Sequence, residues 1–378
     1  MSTDRMLNAL RQGDVKGAAS IADEVGEISS VDGELNRAMI YRAAGEMLKA
    51  LRSLDNALAL NPYSFTALLS KGYVLECLGK NKDSAEVYTN ALMVAPPIDT
   101  LPKGMQEAIK SAEQLVARVK QEKYEYIKSQ LDDDLGSLSG LERKRMRECM
   151  ELYTGRKKSY RSEPVDLLVP GLPAIQFFER KYFPWLEGLE SCTDVFLNEL
   201  QSLVVGGKAG FNPYINYAKG TPVNQWKELD GSRKWSTYYL WRDGDVQERA
   251  SNECPKSTQI LSDIPMAHQL GLAPNAVFSA LAPETKIPPH NGSTNARLLV
   301  HLPLIVPESC GFRVGNEVRK WEVGSAWVFD DTIEHEAWND SSLDRYILIF
   351  DVWNPLLSVE EVEFVSKLMK SSDSWRVL

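Results

Sequence analysis

The sequence predicts an α+β multidomain chain in which a helical array comes first and a β-rich barrel follows. Three observations carry this expectation. Over residues 1–131, apolar and small residues recur at helical spacing, with almost no strand signal. In the same region Pro62 and Pro96, Gly45 and Gly79, and Ala57 and Ala91 all lie 34 residues apart. From residue 166 onward, short β-branched and aromatic runs alternate with Gly, Pro, Asn and Asp breaks.

A 34-residue period with small residues where helices cross, and Pro after the second helix, is the tetratricopeptide signature. Tyr41, Gly45, Ala50, Leu54, Ala57 and Pro62 fit one repeat. Gly72, Gly79, Tyr88, Ala91 and Pro96 fit the next, with Ser84 where Ala is usual. Gly13 and Ala18 mark an imperfect earlier repeat, and 101–131 reads as a third repeat's helix or a cap. Stacked helix pairs leave a concave face that takes peptides or helices. The array therefore either recruits a peptide or protein, or only supports the rest of the chain or mediates self-association.

Residues 132–164 are expected to form a charged helical linker. Within it DDDLGS, 132–137, reads as a helix-breaking acidic run, and 141–161 holds eight Lys or Arg against three Glu. Such a run is either a solvated face or a strip for an acidic partner. The remaining unit, 165–378, begins with strand-like sequence near LLVPGLPAIQFF. WSTYYLW (235–241), AVFSAL (276–281), ARLLVHLPLIV (296–306), SAWVFD (325–330) and YILIFDVW (346–353) are its clearest strands. Many short strands with turn breaks indicate a closed jelly roll, of which the cupin-like double-stranded β-helix is one form.

The 378 residues are 43 % hydrophobic and 25 % charged, an ordinary globular balance. A formal net charge of −9 argues against nucleic-acid binding, which favours basic surfaces. No apolar stretch approaches the roughly 18 residues that span a bilayer. The opening MSTDRMLNALRQGD lacks a signal peptide's apolar core. Five scattered cysteines make no disulfide framework, so a cytoplasmic location is the expectation.

Only four histidines occur, and His290, His301 and His335 fall within 46 residues. Two imidazoles on neighbouring barrel strands can bind one Fe(II) from one side. His290 follows Pro288-Pro289 and is expected at a strand start, with His301 eleven residues on in the same strand run. Arg345, ten residues after His335, opens the apolar run RYILIFDVW. A metal with open positions beside a buried arginine suits a molecule that chelates at one end and carries a carboxylate at the other. 2-Oxoglutarate is such a molecule.

The stretches LVPGLPAIQFF, KWSTYYLW, CPKSTQILSDIP, HNGSTNARLLVHLPLIVP, GFRVGNE, WEVGSAWVFDDTIEHEAWN and RYILIFDVWNP stand in order across about 165 to 360. In these the chain resembles the aspartyl/asparaginyl β-hydroxylase family of Fe(II)/2-oxoglutarate oxygenases. The resemblance implies His290 and His335 as the two protein ligands of Fe(II). It implies Arg345 and Ser279 as partners of the cosubstrate's distal carboxylate, with His301 near its metal-chelating end. Trp235 matches an aromatic residue lining that pocket, although core packing suits it equally.

Gly292 stands where the facial triad has its carboxylate, an absence the family shares. Some relatives carry arginine where this chain has Leu299. Arg297 lies on the same strand face by period two, facing either the cosubstrate or the substrate. Asp330 and Asp331 read as loop-capping or supporting neighbours of His335 rather than ligands. The implied activity is hydroxylation of an unactivated C–H with O2 and 2-oxoglutarate, at the β-carbon of an Asp- or Asn-type residue. The other readings are a small-molecule or lipid acyl hydroxylase, and a repeat scaffold with a degenerate barrel. Halogenases also leave the Gly292 position open for chloride, but the family match disfavours them.

Overall fold

A computed structural model describes residues 2–207, 210–269 and 271–377. The chain divides into two compact units, Met1–Lys157 and Lys158–Leu378.

The first unit is built from antiparallel helix pairs: α1 (Ser2–Arg11) with α2 (Val15–Glu24), α3 (Val31–Ala43) with α4 (Met47–Leu60), and α5 (Phe65–Cys77) with α6 (Asn81–Met93). Each pair turns on a glycine in the left-handed region, Gly13, Gly45 and Gly79, at φ 81°, 78° and 73°. Asp14, Ser30 and Ser64 cap the helices that follow them by accepting backbone N–H groups. Where helices cross, Ala18, Ala50, Ala57 and Ala91 are wholly buried. A Cβ on Gly72 would lie 2.3 Å from the Tyr88 ring. Ser84 takes an alanine position because its hydroxyl donates to the Gly72 carbonyl at 2.8 Å, leaving no buried donor idle.

A long helix, α7 (Lys103–Gln130), closes the array. The acidic run does not remain broken: after Leu131 it starts a short helix, α8 (Asp132–Ser137). Its three aspartates occupy the first turn, where the helix dipole favours negative charge. The basic stretch folds as α9 (Gly140–Tyr153), which starts with a capping box from Ser139 and Glu142. Tyr124, Leu135 and Met150 form a small core among these helices. Arg143 donates to the carbonyls of Leu135, Gly136 and Leu138 at 2.8–2.9 Å, so part of the charge run ties off a helix end.

The second unit has two antiparallel sheets. One runs β1 (Asn212–Pro213), β2 (Trp235–Arg242), β4 (Ala276–Leu281), β11 (Arg345–Trp353), β6 (Arg297–Ile305), β9 (Trp327–Phe329), with β3 (Asp245–Val246) on β2. The other runs β5 (Thr285–His290), β10 (His335–Asn339), β7 (Cys310–Val314), β8 (Glu317–Lys320). This is the double-stranded β-helix arrangement. Among the described residues five α-helices accompany it: α10 (Leu186–Ser191), α11 (Thr193–Val205), α12 (Glu248–Glu253), α13 (Pro255–Ser262) and α14 (Val359–Val377).

Period-two alternation divides the larger sheet. Tyr346, Leu348, Phe350 and Val352 of β11 face outward with Phe278, Leu298 and Val300, packing on Leu186, Leu189, Phe196 and Leu200. Arg345, Ile347, Ile349 and Asp351 face inward. Both faces of β11 are covered, which is why the strand reads as a continuous apolar run.

Three further sequence expectations need correction. LLVPGLPAIQFF forms no strand; Leu167 and Phe177 make only isolated bridges in an extended, proline-punctuated segment. His290 ends its strand rather than starting one, because pairing with β10 carries β5 through Pro288-Pro289. His301 lies not on that strand run but on β6, in the other sheet, since the turn at 291–296 reverses the chain.

Gly72→Ala should lower stability by roughly 1–3 kcal/mol, the cost of overpacking. Gly104→Ala, a helical site with nothing within 4 Å, should raise it by roughly 0.4–1 kcal/mol. Urea unfolding followed by circular dichroism checks both, and equal effects would contradict the packing assignment.

Candidate active site

The two sheets enclose a cavity of about 520 Å³. All seven side chains singled out in the sequence line it: Trp235, Ser279, His290, Arg297, His301, His335 and Arg345. Strand pairing does the assembly. His290 and His335 are directly opposed across β5 and β10, with ring centroids 4.0 Å apart. Nδ1 of each ring donates to a carbonyl two residues back, His290 to Pro288 at 2.8 Å and His335 to Ile333 at 3.1 Å. A carbonyl can only accept, so both rings carry their proton on Nδ1 and keep the Nε2 lone pair. Burial holds both imidazoles below their usual pKa, and for His335 the neighbouring His290 adds to it. Two neutral imidazoles with unprotonated Nε2 atoms are the donor state a borderline metal requires.

Gly292 contributes space. A Cβ there would fall 1.9 Å from Asp331 Oδ2, so the Asp331 carboxyl fills the volume beside it. The Gly292 N–H donates to the Asp331 carbonyl at 2.7 Å, locking the two segments together. Burial pushes the Asp331 carboxyl well above its ordinary pKa, helped by Asp330 and Asp351. Asp330 itself caps the loop, accepting from the Thr332 amide at 3.0 Å and from the Ser162 hydroxyl at 2.8 Å. Among the described residues, no three His, Cys, Asp or Glu side chains group to hold a metal.

At another part of the cavity lies Arg345, the largest side chain buried almost completely, at 1 % exposure. Among the described residues no carboxylate pairs with it, and its Nε has no hydrogen-bond partner. Burial alone pulls its pKa down to about 10, so it remains a cation at neutral pH. Ser279 Oγ accepts from the Trp235 indole N–H at 3.2 Å, which leaves the serine proton free to donate. Nδ1 of His301, Nε and Nη1 of Arg297 and Oγ1 of Thr237 are also buried without hydrogen-bond partners. Native interiors rarely leave such groups idle. Four cavity residues with idle polar atoms mark a site shaped for a polar, anionic ligand.

Arg297, Leu299 and His301 all face the cavity, in keeping with their alternation along β6. Arg297 sits 3.6 Å from Asp351, itself bonded by the Asn275 amide at 2.9 Å. Asp351, Thr237 and Tyr239 were not singled out in the sequence. The period that placed Arg297 could have found them, since Asp351 is six residues beyond Arg345 and Thr237 and Tyr239 follow Trp235 by two and four. Trp226, edge-on to His290 at 5.0 Å, comes from a short 3-10 turn and carried no pattern.

Gly292→Asp would write the ordinary facial triad into the sequence, yet it should not strengthen metal binding. The new side chain must first displace Asp331, so Fe(II) affinity should stay level or fall and thermal stability should drop. Gly292→Ala should share the loss of stability. Calorimetric Fe(II) titration of the two variants, with melting curves, checks this; a tighter Asp variant would contradict the crowding.

Residues 210–355 match the family model described as aspartyl/asparaginyl β-hydroxylase, and they include every residue of the site above. The human aspartyl/asparaginyl β-hydroxylase is 29 % identical over 374 residues, covering 92 % of this chain and 47 % of that protein. The mouse aspartyl/asparaginyl β-hydroxylase is 37 % identical over 149 residues, covering 39 % and 20 %. An ornithine lipid ester-linked acyl 2-hydroxylase of Rhizobium tropici is 37 % identical over 135 residues, covering 35 % and 46 %. The chain thus spans about half the length, or less, of these relatives. Residues 210–355 thus resemble the aspartyl/asparaginyl β-hydroxylase domain, and a tetratricopeptide-like helical array precedes them in the sequence.

Proposed function

We propose that this protein is an Fe(II)- and 2-oxoglutarate-dependent dioxygenase that hydroxylates an unactivated C–H, at the β-carbon of an Asp- or Asn-type residue in a peptide or protein. The observation that carries the reading is the buried Arg345 guanidinium without a carboxylate, in one cavity with two imidazoles whose protons sit on Nδ1, leaving Nε2 unprotonated. His290 and His335 would hold the metal. When bound, Fe(II) with 2-oxoglutarate and O2 supplies the oxidising power to place one oxygen on carbon, with succinate and CO2 as co-products.

The chain's own residues do the rest. Arg345 takes the distal carboxylate through a charge-assisted fork, and the Ser279 proton adds a second donor to it. His301 borders the chelating end. Ile287, Ile347 and Ile349 line the cavity and keep water from the reacting carbon. Arg297, whose Nη1 lies 3.6 Å from the Asp351 carboxylate, has an Nε without a hydrogen-bond partner to offer an anionic group of cosubstrate or target. Asp331, beside Gly292, is placed to orient a polar neighbour of the metal rather than to ligate it.

A second reading has a specific observation behind it. The Rhizobium relative is named for hydroxylating a lipid acyl chain, so a lipid or small-molecule target remains the alternative substrate class. Among the described residues no helix is long and apolar enough to cross a membrane.

In a turnover assay read by succinate release and by a gain of one oxygen in product mass, His290→Ala and His335→Ala should each abolish metal-dependent succinate formation. Arg345→Ala should raise the 2-oxoglutarate requirement roughly a hundredfold, the value of a lost charge-assisted pair, with little change in iron binding. Wild-type turnover in either histidine variant defeats the metal assignment.

Removing residues 1–157 separates the substrate classes. The cavity residues all lie beyond the cut, so uncoupled 2-oxoglutarate turnover should persist. Hydroxylation of a protein target presented by the repeats should fall sharply through lost effective concentration. A small-molecule target would be hydroxylated as before.

A further inference from the structure

The cavity's cation has a neighbour, the first residue of the stretch WEVGSAWVFDDTIEHEAWN, that has no role in the proposed chemistry. Trp321 follows β8 directly, and the Arg345 guanidinium carbon lies 5.4 Å from the centre of its indole. Among the described residues it is the one ring set over that guanidinium. The same indole stacks on His301, centroids 5.8 Å apart and planes within 19°. Trp327 at 4.6 Å and Phe312 at 5.4 Å hold it from other sides. Its Nε1 is buried with no acceptor, so packing rather than a hydrogen bond fixes the ring. Trp321 therefore touches two of the residues assigned to the carboxylate-bearing cosubstrate, Arg345 and His301, and makes no ring contact with His290 or His335 among the described residues.

An unpaired guanidinium in a dry interior must find some electron density, or be left poorly solvated and free to change rotamer. An aromatic face supplies it through the ring quadrupole. Face contact also leaves the edge N–H groups of the guanidinium available, and those are the groups a carboxylate uses. We propose that Trp321 is a positioning residue for the cosubstrate: its π face stands in for a counter-anion, holds Arg345 in carboxylate-receiving orientation, and so sets how tightly the distal carboxylate binds. This rests on the 2-oxoglutarate reading above. Without the ring, Arg345 must be ordered at each binding event, and affinity carries that entropy cost.

The test uses the full chain loaded with Fe(II) under anaerobic conditions and titrated with 2-oxoglutarate by calorimetry. Trp321→Leu should weaken 2-oxoglutarate binding roughly ten- to thirtyfold, the range of a desolvated cation–π contact. Trp321→Phe, which keeps an aromatic face, should recover most of the loss, and Fe(II) affinity should be unchanged in both. In turnover the KM for 2-oxoglutarate should rise in Trp321→Leu while kcat holds. If the leucine variant does not fold, Trp321→Met, flexible and without a π face, should show the same loss. Wild-type affinity in the leucine or methionine variant overturns the proposal. So does an equal loss in the phenylalanine variant, or a parallel fall in Fe(II) affinity. Failure of the wild-type chain to bind 2-oxoglutarate overturns the cosubstrate reading itself, and this inference with it.

Discussion

A guanidinium buried at 1 % exposure, with no carboxylate beside it, is the constraint around which the second unit is arranged. Isolated buried charge is costly, and a fold retains it only where its surroundings leave no alternative. Arg345 opens β11, the strand between β4 and β6, pairing with Leu281 of β4 just before the strand becomes paired on both sides at Tyr346. The opposite face of that strand is committed to the core against α10 and α11. Slipping the register by one residue would bury Arg345 among Phe196 and Leu200 and turn Tyr346 into the cavity. The apolar packing outside the sheet thus holds the charge inside it.

The two sheets contribute different chemistry to the same space. The larger supplies the groups suited to an anion: Arg345, Ser279, Trp235, His301 and Arg297. The smaller supplies the two imidazoles, fixed in one tautomer by backbone carbonyls rather than by side chains. Such fixation survives changes in nearby residues, because it depends only on the local chain path before each histidine. Between the sheets, the missing side chain of Gly292 and the carboxyl of Asp331 share one volume. A carboxyl therefore lies at Gly292 itself, although the sequence position has none of its own, and among the described residues it does not group with the two imidazoles to hold a metal.

The helical unit obeys another rule, close approach. Gly72 against Tyr88, and the wholly buried Ala50, Ala57 and Ala91, set how near the helices lie. A side chain larger than a hydroxyl at Ser84 would separate them. The repeat period is visible because each helix pair solves the same packing problem with the same small residues. The repeat is accordingly a statement about backbone distance, and it fixes the path of a concave face without naming what that face binds.

The sequence by itself determined the two-part organisation, the central strands and the seven named side chains that line one cavity. Helical and strand periods are local properties, and β2, β4, β6 and β11 are buried on both faces, so their composition is conspicuous. It left the smaller sheet nearly unread, because TKIPPH, CGFRV, EVRK and HEAWN are short, polar or proline-bearing and become strands only through their partners. It missed α10 and α11, whose apolar faces matter only once there is a sheet to cover. It misplaced His290 and His301 on one strand, since the reversal at 291–296 is held by tertiary bonds from Asn295 to Val169 and from Asn354 to the Asn295 carbonyl. Which side chains share the cavity followed from period two along single strands. That Asp331 sits against Gly292, and Trp321 over Arg345, was decided by tertiary structure alone, because those contacts join segments whose separation in sequence carries no period.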